Sequence, residues 1–123
     1  MPKVLIVDDD PDTVEACRIV LEKAGFETEG AGSRAEGMQA IEQAPPDAIV
    51  LDVVMEEPDD GFTMAQQLER AGFKIPILML TSVGRAAGFS FGKNEDVVPV
   101  AEFVDKPIAP KDLVAKIKKL VEG

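Results

Sequence analysis

Hydrophobic residues follow two alternating patterns along this chain. Short runs of consecutive apolar residues at 4–7, 48–51 and 77–80 predict buried strands. Between such runs, apolar residues recur every three or four positions, as at Cys17 and Leu21, which predicts amphipathic helices. Strands that alternate with helices pair in parallel through right-handed crossovers. The pattern therefore predicts an α/β fold in which helices cover both faces of one parallel sheet.

Capping residues and prolines mark the ends of the predicted elements. Asp10 stands before Pro11 at the start of the first helix, and Gly25 stands where that helix should stop. Ser33 and Glu36 have the spacing of a capping box that opens the second helix. We expect strands at 3–7, 26–32, 48–52, 77–80 and 100–104, and helices at 11–24, 33–44, 61–72 and from 110 onward.

The composition is that of an ordinary globular domain with an excess of acid. Of the 123 residues, 46% are hydrophobic and 29% are charged, and nothing interrupts the alternation of elements, so we expect a single domain over 1–123. The net charge is −10, and 16 of the 23 acidic residues lie within 1–61. An acidic protein repels nucleic-acid backbones and anionic lipid, so we expect direct binding to neither. The acid excess instead favours a bound cation.

The residue types that are absent or scarce narrow the chemistry further. The chain has no His and one Cys, Cys17, which excludes Ser-His-Asp hydrolases, histidine zinc sites, internal disulfides and CxxC motifs. The longest apolar runs are far shorter than the roughly 18 residues that a membrane span needs. The first residues lack the anatomy of a signal peptide. We therefore expect a cytoplasmic protein.

Polar residues that follow the predicted strands form the candidate site, because ligands of open parallel sheets bind beyond the carboxyl ends of the strands. These residues are Asp8, Asp9, Asp52, Thr81 and Lys106. Three converging carboxylates repel one another unless a cation compensates, and oxygen ligands without nitrogen or sulfur favour Mg²⁺. A carboxylate can attack phosphorus, while a lysine and a hydroxyl can hold phosphoryl oxygens. The set indicates Mg²⁺-dependent phosphoryl chemistry on a carboxylate.

The sequence around these residues resembles the receiver domain of two-component response regulators. The similarity runs in order along essentially the whole chain and rests on five motifs: Val7-Asp8-Asp9-Asp10-Pro11, Ile49-Val50-Leu51-Asp52, Asp60-Gly61-Phe62, Leu80-Thr81-Ser82 and Phe103-Val104-Asp105-Lys106-Pro107. It implies a flavodoxin-like, doubly wound sheet of five parallel strands in the order 2-1-3-4-5. It also implies a stand-alone signalling switch or phosphorelay shuttle rather than an enzyme.

The resemblance further implies a role for each residue of the site. Asp52 would accept a phosphoryl group from a sensor histidine kinase or a histidine phosphotransfer protein. Asp8, Asp9, Asp52 and the backbone carbonyl of Val54 would hold Mg²⁺, with Asp8 bound mainly through water. Lys106 would pair with the acyl phosphate.

Two further residues are implied as the switch. Thr81 would swing to the phosphoryl oxygen, and Phe103 would turn inward into the space that Thr81 vacates. Their movement would alter the surface formed by the helix between the fourth and fifth strands, the fifth strand and the last helix, where a downstream protein can bind.

The sequence departs from the family's pattern in two places. An insertion of one residue adds Glu56 and Glu57 to the rim of the site, where they would tighten the hold on a cation or slow the approach of an anionic donor. Gly84, Gly88 and Gly92 interrupt the segment 84–99, and each glycine inside a helix costs about 1 kcal/mol. We therefore expect the helix between the fourth and fifth strands to be short, shifted or disordered.

Three other functions fit parts of the sequence. A pseudo-receiver that binds partners without being phosphorylated would accommodate the Glu56-Glu57 insertion. An aspartate-nucleophile phosphohydrolase of the haloacid dehalogenase type places its nucleophile after the first strand, as Asp8-Asp9-Asp10 superficially does, but Pro11 begins a helix there. A flavin binder is poorly supported, because the chain has no Trp or Tyr to stack on the ring.

Overall fold

Five parallel strands form one sheet in the computed structural model, which describes residues 2–52, 60–81, 102–105 and 109–122. The strands are β1 (Lys3–Val7), β2 (Glu27–Ala31), β3 (Ala48–Asp52), β4 (Ile77–Thr81) and β5 (Glu102–Asp105). Their order across the sheet is β2-β1-β3-β4-β5, and each neighbouring pair is parallel. The predicted fold class and strand order are confirmed.

The described residues form four helices between and after the strands. These are α1 (Pro11–Lys23), α2 (Arg34–Gln43), α3 (Asp60–Arg70) and the last helix (Pro110–Glu122). None of them has the length and apolar character that a membrane crossing requires. The expected helix within 84–99 lies outside the described residues.

Several predicted boundaries were wrong by one or two residues. The second strand is shorter at both ends than 26–32, and β4 continues to Thr81. The third helix begins at Asp60 and ends at Arg70, whereas we expected 61–72. Its end comes early because Gly72 has a φ of +88°, a left-handed conformation that a helix cannot contain. The fifth strand extends to Asp105, one residue beyond the prediction.

Side-chain caps start α1 and α2 as the sequence indicates. The Asp10 side chain accepts a hydrogen bond from the N–H of Asp12, and Ser33 Oγ accepts one from the N–H of Glu36 at 3.1 Å. Glu36 Oε1 in turn accepts from the N–H of Gly32 at 2.8 Å, one residue earlier than the partner in a standard capping box. Both helices therefore begin at positions that local hydrogen bonds specify.

The sheet is covered on both faces, and the alternation of side chains along each strand divides the buried residues into two cores. Leu5 and Val7 of β1 belong to a core with α2 and α3, which contribute Ile41, Met64, Ala65 and Leu68. Val4 and Ile6 belong to a core with α1 and the last helix, which contribute Cys17, Leu21, Leu113 and Ile117. Strands buried on both faces explain why β1, β3 and β4 are continuous apolar runs.

Candidate functional site

Two neighbouring strands carry carboxylates to the same edge of the sheet. β1 pairs with β3 in parallel, and Val7 lies opposite Leu51. The next residues, Asp8 and Asp52, therefore lie side by side where the two strands end. This is the edge at which open parallel sheets bind ligands.

Asp9 joins these two residues in a group that we call the carboxylate cluster (Asp8, Asp9 and Asp52). One carboxylate oxygen of each residue lies within 4.8 Å of those of the other two. Asp8 is 2% exposed and Asp52 is 7% exposed, whereas Asp9 is open to solvent. The structure thus brings together the three acidic residues that the sequence singled out.

Backbone hydrogen bonds hold Asp8 in a defined orientation. Its N–H donates to the carbonyl oxygen of Ala31 at the end of β2, with a distance of 3.0 Å. Its Oδ1 accepts from the N–H of Asp10 at 2.9 Å. A hydrogen bond from an N–H to an ionised carboxylate is stronger than one between neutral groups. Asp8 is therefore tied both to the neighbouring strand and to the turn that enters α1.

The carboxylate cluster has the chemistry of a site for a hard divalent cation. Like charges at this separation disfavour one another unless a positive charge lies between them. Mg²⁺ takes oxygen ligands at about 2.0–2.1 Å in octahedral geometry, so ligand oxygens of one ion lie about 3–4 Å apart. The oxygens of the cluster are close to that spacing, and the exposed Asp9 side chain has room to adjust. These residues fit Mg²⁺.

A protein-family model described as the response regulator receiver domain matches residues 4–118, which is most of the chain. The chain belongs to this receiver family. Receiver domains are signalling domains that act through phosphorylation, and they generally bind Mg²⁺ in an acidic pocket. The family that the five motifs indicated is confirmed.

Curated relatives of this receiver are longer proteins. The chain is 33% identical over 127 residues to the DNA-binding dual master transcriptional regulator RpaA of Synechocystis, covering 98% of the chain and 49% of the relative. It is 35% identical over 123 residues to the response regulator MprA of Mycobacterium leprae, covering 97% of the chain and 50% of the relative. The chain thus spans about half the length of these relatives.

Solved structures of receivers superpose on the chain over nearly its whole length. A response regulator structure from Chloroflexus aurantiacus has a TM-score of 0.87 and 31% identity, and it covers 99% of this chain and 98% of that one. A CheY-like receiver domain from Methanospirillum hungatei has a TM-score of 0.85 and 24% identity, covering 99% and 94% of the two chains. Because the Methanospirillum structure is only 24% identical, its similarity to this chain shows a shared fold and nothing about function.

The backbone of the receiver brings Thr81 to the edge that carries the cluster. Leu80 of β4 pairs with Asp52, so Thr81 is one residue beyond that pair. Across the next pair of strands, Asp105 of β5 lies opposite Thr81. The residue that follows Asp105 in the sequence is Lys106. The ends of β3, β4 and β5 therefore lie next to one another at the edge of the sheet where the candidate site was predicted.

Some predicted residues of the receiver lie outside the part of the chain that the structure describes. They are Val54, Glu56, Glu57 and Lys106. For Thr81 and Phe103 the structure describes the backbone, in β4 and β5, and their side chains lie outside it. The roles assigned to all these residues stay predictions.

One contact at the site was not predicted from the sequence, in which Asp10 was interpreted as a helix cap alone. Its N–H is also the donor that holds Oδ1 of Asp8. The signal was present in the spacing, because an aspartate often accepts from the N–H two residues further on. Asp8, Asp10 and Asp12 follow one another at this spacing, and both hydrogen bonds form.

Proposed function

We propose that this receiver is a phosphorylation-dependent switch or phosphorelay shuttle in which Asp52 accepts a phosphoryl group from a phosphohistidine. The observation that carries the proposal is the carboxylate cluster, with three oxygens within 4.8 Å at the carboxyl ends of neighbouring strands. The donor is a sensor histidine kinase or a histidine phosphotransfer protein. Residues 1–123 contain no His, so the phosphohistidine lies outside them.

In the proposed transfer, a carboxylate oxygen of Asp52 attacks the phosphorus atom in line with the bond to the histidine nitrogen. The P–N bond breaks, its electron pair goes to the imidazole, which is protonated, and a P–O bond to Asp52 forms. The product is an acyl phosphate. Asp8, Asp9, Asp52 and the backbone carbonyl of Val54 would hold Mg²⁺, which would neutralise charge on the phosphoryl oxygens.

Position in the sheet favours Asp52 over its neighbours as the acceptor. Asp8 ends β1, next to the edge strand β2, and its Oδ1 accepts the backbone N–H of Asp10. Asp9 is exposed, so water competes for its carboxylate. Asp52 ends the central strand β3, which has β1 on one side and β4 on the other. A phosphoryl group on Asp52 would therefore lie between the ends of β1 and β4.

The proposed readout uses residues around the acyl phosphate. Lys106 pairs with the phosphoryl oxygens, Thr81 donates its hydroxyl to one of them, and Phe103 turns inward in response. The altered surface of the fifth strand, the last helix and the segment before them binds a downstream protein. We propose that residues 1–123 form one receiver domain, located in the cytoplasm, that does not itself contact nucleic acid or membrane.

The central test is phosphorylation by acetyl phosphate in the presence of Mg²⁺, read by intact mass. We expect the wild-type chain to gain one phosphoryl group and Asp52→Asn to gain none. Asp47→Asn is the matched control, because Asp47 is an exposed aspartate just before the opposite end of the same strand. We expect it to behave as wild type.

Three outcomes would contradict the proposal. If the wild-type chain gains no mass at any Mg²⁺ concentration, the pseudo-receiver interpretation is preferred. If Asp52→Asn still gains the group, the acceptor is another residue. If the chain instead turns over a small phosphate ester, it is a phosphohydrolase.

A further inference from the structure

The turn that joins β1 to α1 contains a short chain of hydrogen bonds that ends on the carboxylate cluster. Asp10 Oδ1 accepts from the N–H of Asp12 at 3.0 Å, and Asp10 Oδ2 accepts from Thr13 Oγ1 at 3.1 Å. The carbonyl oxygen of Asp10 accepts from the N–H of Val14 at 3.1 Å. All three oxygens of Asp10 are thus engaged by the first turn of α1.

These contacts fix the direction of the backbone N–H of Asp10. The residue has φ −93° and ψ 107°, the extended conformation that a helix cap requires. In that conformation its N–H points back along the chain and donates to Oδ1 of Asp8 at 2.9 Å. The backbone of Asp10 therefore links the Asp8 carboxylate to the contacts that the Asp10 side chain makes with α1.

Asp10 does not belong to the carboxylate cluster itself. Among the described acidic residues, the group close enough to share an ion contains Asp8, Asp9 and Asp52, and Asp10 is exposed. Any specific effect of its side chain on the cluster must pass through the turn. Its negative charge acts separately, through space, and an isosteric neutral residue removes that charge without removing the cap.

We propose that Asp10 is a positioning residue for the cation site: by capping α1 together with Thr13, its side chain orients Asp8 and so sets the affinity of the carboxylate cluster for Mg²⁺. The inference rests on the proposed function only in taking the cluster as a Mg²⁺ site. Partners that orient a metal ligand typically change metal affinity by about 10- to 100-fold when they are removed. If the Asp10 cap served α1 alone, its removal would lower the free energy of unfolding and leave the Mg²⁺ affinity of the folded protein unchanged.

The test measures the dissociation constant for Mg²⁺ by calorimetric titration of the whole chain with MgCl₂. Asp10→Asn removes the charge but keeps an oxygen that can cap the helix, whereas Asp10→Ala removes both. We expect Asp10→Ala to bind Mg²⁺ about tenfold more weakly than Asp10→Asn, the lower end of the range for an orienting partner. Thr13→Val removes one of the two side-chain contacts and should lie between wild type and Asp10→Ala.

A second readout separates positioning from damage to the fold. With acetyl phosphate, Asp10→Ala should reach the wild-type extent of phosphorylation when Mg²⁺ is saturating, but it should need about tenfold more Mg²⁺ to do so. If Asp10→Ala fails to fold, the milder variant Thr13→Val replaces it in the test. We then expect Thr13→Val to bind Mg²⁺ more weakly than wild type, and Thr13→Ser to restore the wild-type affinity.

The outcomes distinguish this inference from the function on which it rests. Equal Mg²⁺ affinities for Asp10→Ala and Asp10→Asn, or a Thr13→Val affinity equal to wild type, would overturn the positioning role and leave the proposed function intact. Absence of Mg²⁺ binding to the wild-type chain would overturn both. A third outcome is that Asp10→Ala binds Mg²⁺ about tenfold more weakly while the wild-type chain accepts no phosphoryl group. This outcome would support the positioning role and overturn the phosphoacceptor proposal.

Discussion

Residues of this receiver that are adjacent in the sequence can differ in burial and in hydrogen bonding. Asp8 is buried and held by the N–H of Asp10, while Asp9, the next residue, is open to solvent. A buried carboxylate depends on fixed hydrogen bonds and on compensating charge, whereas an exposed one is solvated by water. Two chemically identical side chains are therefore expected to respond differently to the same substitution.

Gly25 gives a prediction for a single residue, because only its backbone conformation requires a glycine at this position. It has a φ of +98°, and an added Cβ would meet no atom within 4 Å. We expect Gly25→Ala to lower the free energy of unfolding by about 1–2 kcal/mol, measured by urea denaturation, through backbone strain alone. Gly25→Asn should lose less, because Asn tolerates left-handed conformations better.

Gly32→Ala is the matched control for this prediction. Gly32 does not have a positive φ, and its added Cβ would meet only Glu36 Oε1, at an ordinary contact distance of 3.6 Å. We expect its stability to stay within about 0.5 kcal/mol of wild type. A similar loss at both glycines would mean that conformation is not the cause at Gly25.

At the scale of elements, β2 depends on its neighbours more than the apolar strands β1, β3 and β4 do. It is an edge strand with the polar sequence Glu27-Thr28-Glu29-Gly30, and only Ala31 is buried. Thr28 hydrogen-bonds with Arg18 and Glu22 of α1, and Lys3 of β1 forms an ion pair with Glu29 at 2.8 Å. Tertiary contacts therefore hold in place a strand whose own residues specify it weakly.

The packing of α1 on β2 gives the element-scale prediction. A Cβ added at Gly30 would lie 2.5 Å from Cγ1 of Val14, a side chain with little rotamer freedom. We expect Gly30→Ala to lower the free energy of unfolding by about 1–3 kcal/mol, because α1 must move away from the strand. Val14→Ala removes the clashing methyl group and should offset much of this loss in the double variant.

A double-mutant cycle by urea denaturation measures this coupling. We expect the double variant to be more stable than the sum of the single changes predicts, by at least about 0.5 kcal/mol. Strict additivity of the two substitutions would show that the close approach of Gly30 to Val14 carries no strain.

At the scale of the whole molecule, charge is distributed unevenly over a fold with two cores. Among the residues that the structure describes, each face of the sheet carries its own core. Residues 1–61 hold 16 acidic and 4 basic side chains, a net charge of −12, and include all three members of the carboxylate cluster. Repulsion among acidic groups opposes the folded state where it brings them together. A cation bound at the cluster should relieve part of it.

The corresponding prediction is that Mg²⁺ stabilises the native chain through binding. A ligand that binds only the folded state raises the free energy of unfolding by about 2.7 kcal/mol when its free concentration is 100 times its dissociation constant. We expect this gain for the wild-type chain and for Asp47→Asn, measured by urea denaturation with and without MgCl₂. Asp52→Asn should gain clearly less, because it has lost a ligand. Removal of Mg²⁺ with a chelator should reverse the effect.

NaCl at the same ionic strength is the control for general screening of charge. Screening acts on all acidic residues alike, whereas binding requires the cluster. Equal stabilisation by the two salts, or equal stabilisation of wild type and Asp52→Asn by Mg²⁺, would contradict a specific cation site.

The boundaries of single elements show where local signals were sufficient and where they were not. β1 and β3 are apolar runs that read as strands without any knowledge of the fold, and Asp10 and Ser33 start helices through hydrogen bonds to the next few residues. The end of α3 was misplaced because the sequence pattern predicted Gly72 as its last residue. Gly72 instead has a positive φ and lies beyond the helical residues, with the N–H groups of Gly72 and Phe73 donating to carbonyls of α3.

The sequence by itself determined the fold class, the family and the residue types at the strand ends, since these follow from periodicity, caps and motifs that are contiguous in the chain. The hydrogen bond from the N–H of Asp10 to Asp8 joins residues two apart, so the sequence spacing already carried its signal. Only the tertiary structure decided which carboxylates are buried and how closely Asp8, Asp9 and Asp52 approach. These properties depend on the register that sets Val7 opposite Leu51, and such a pairing forms by packing between segments that are distant in the sequence.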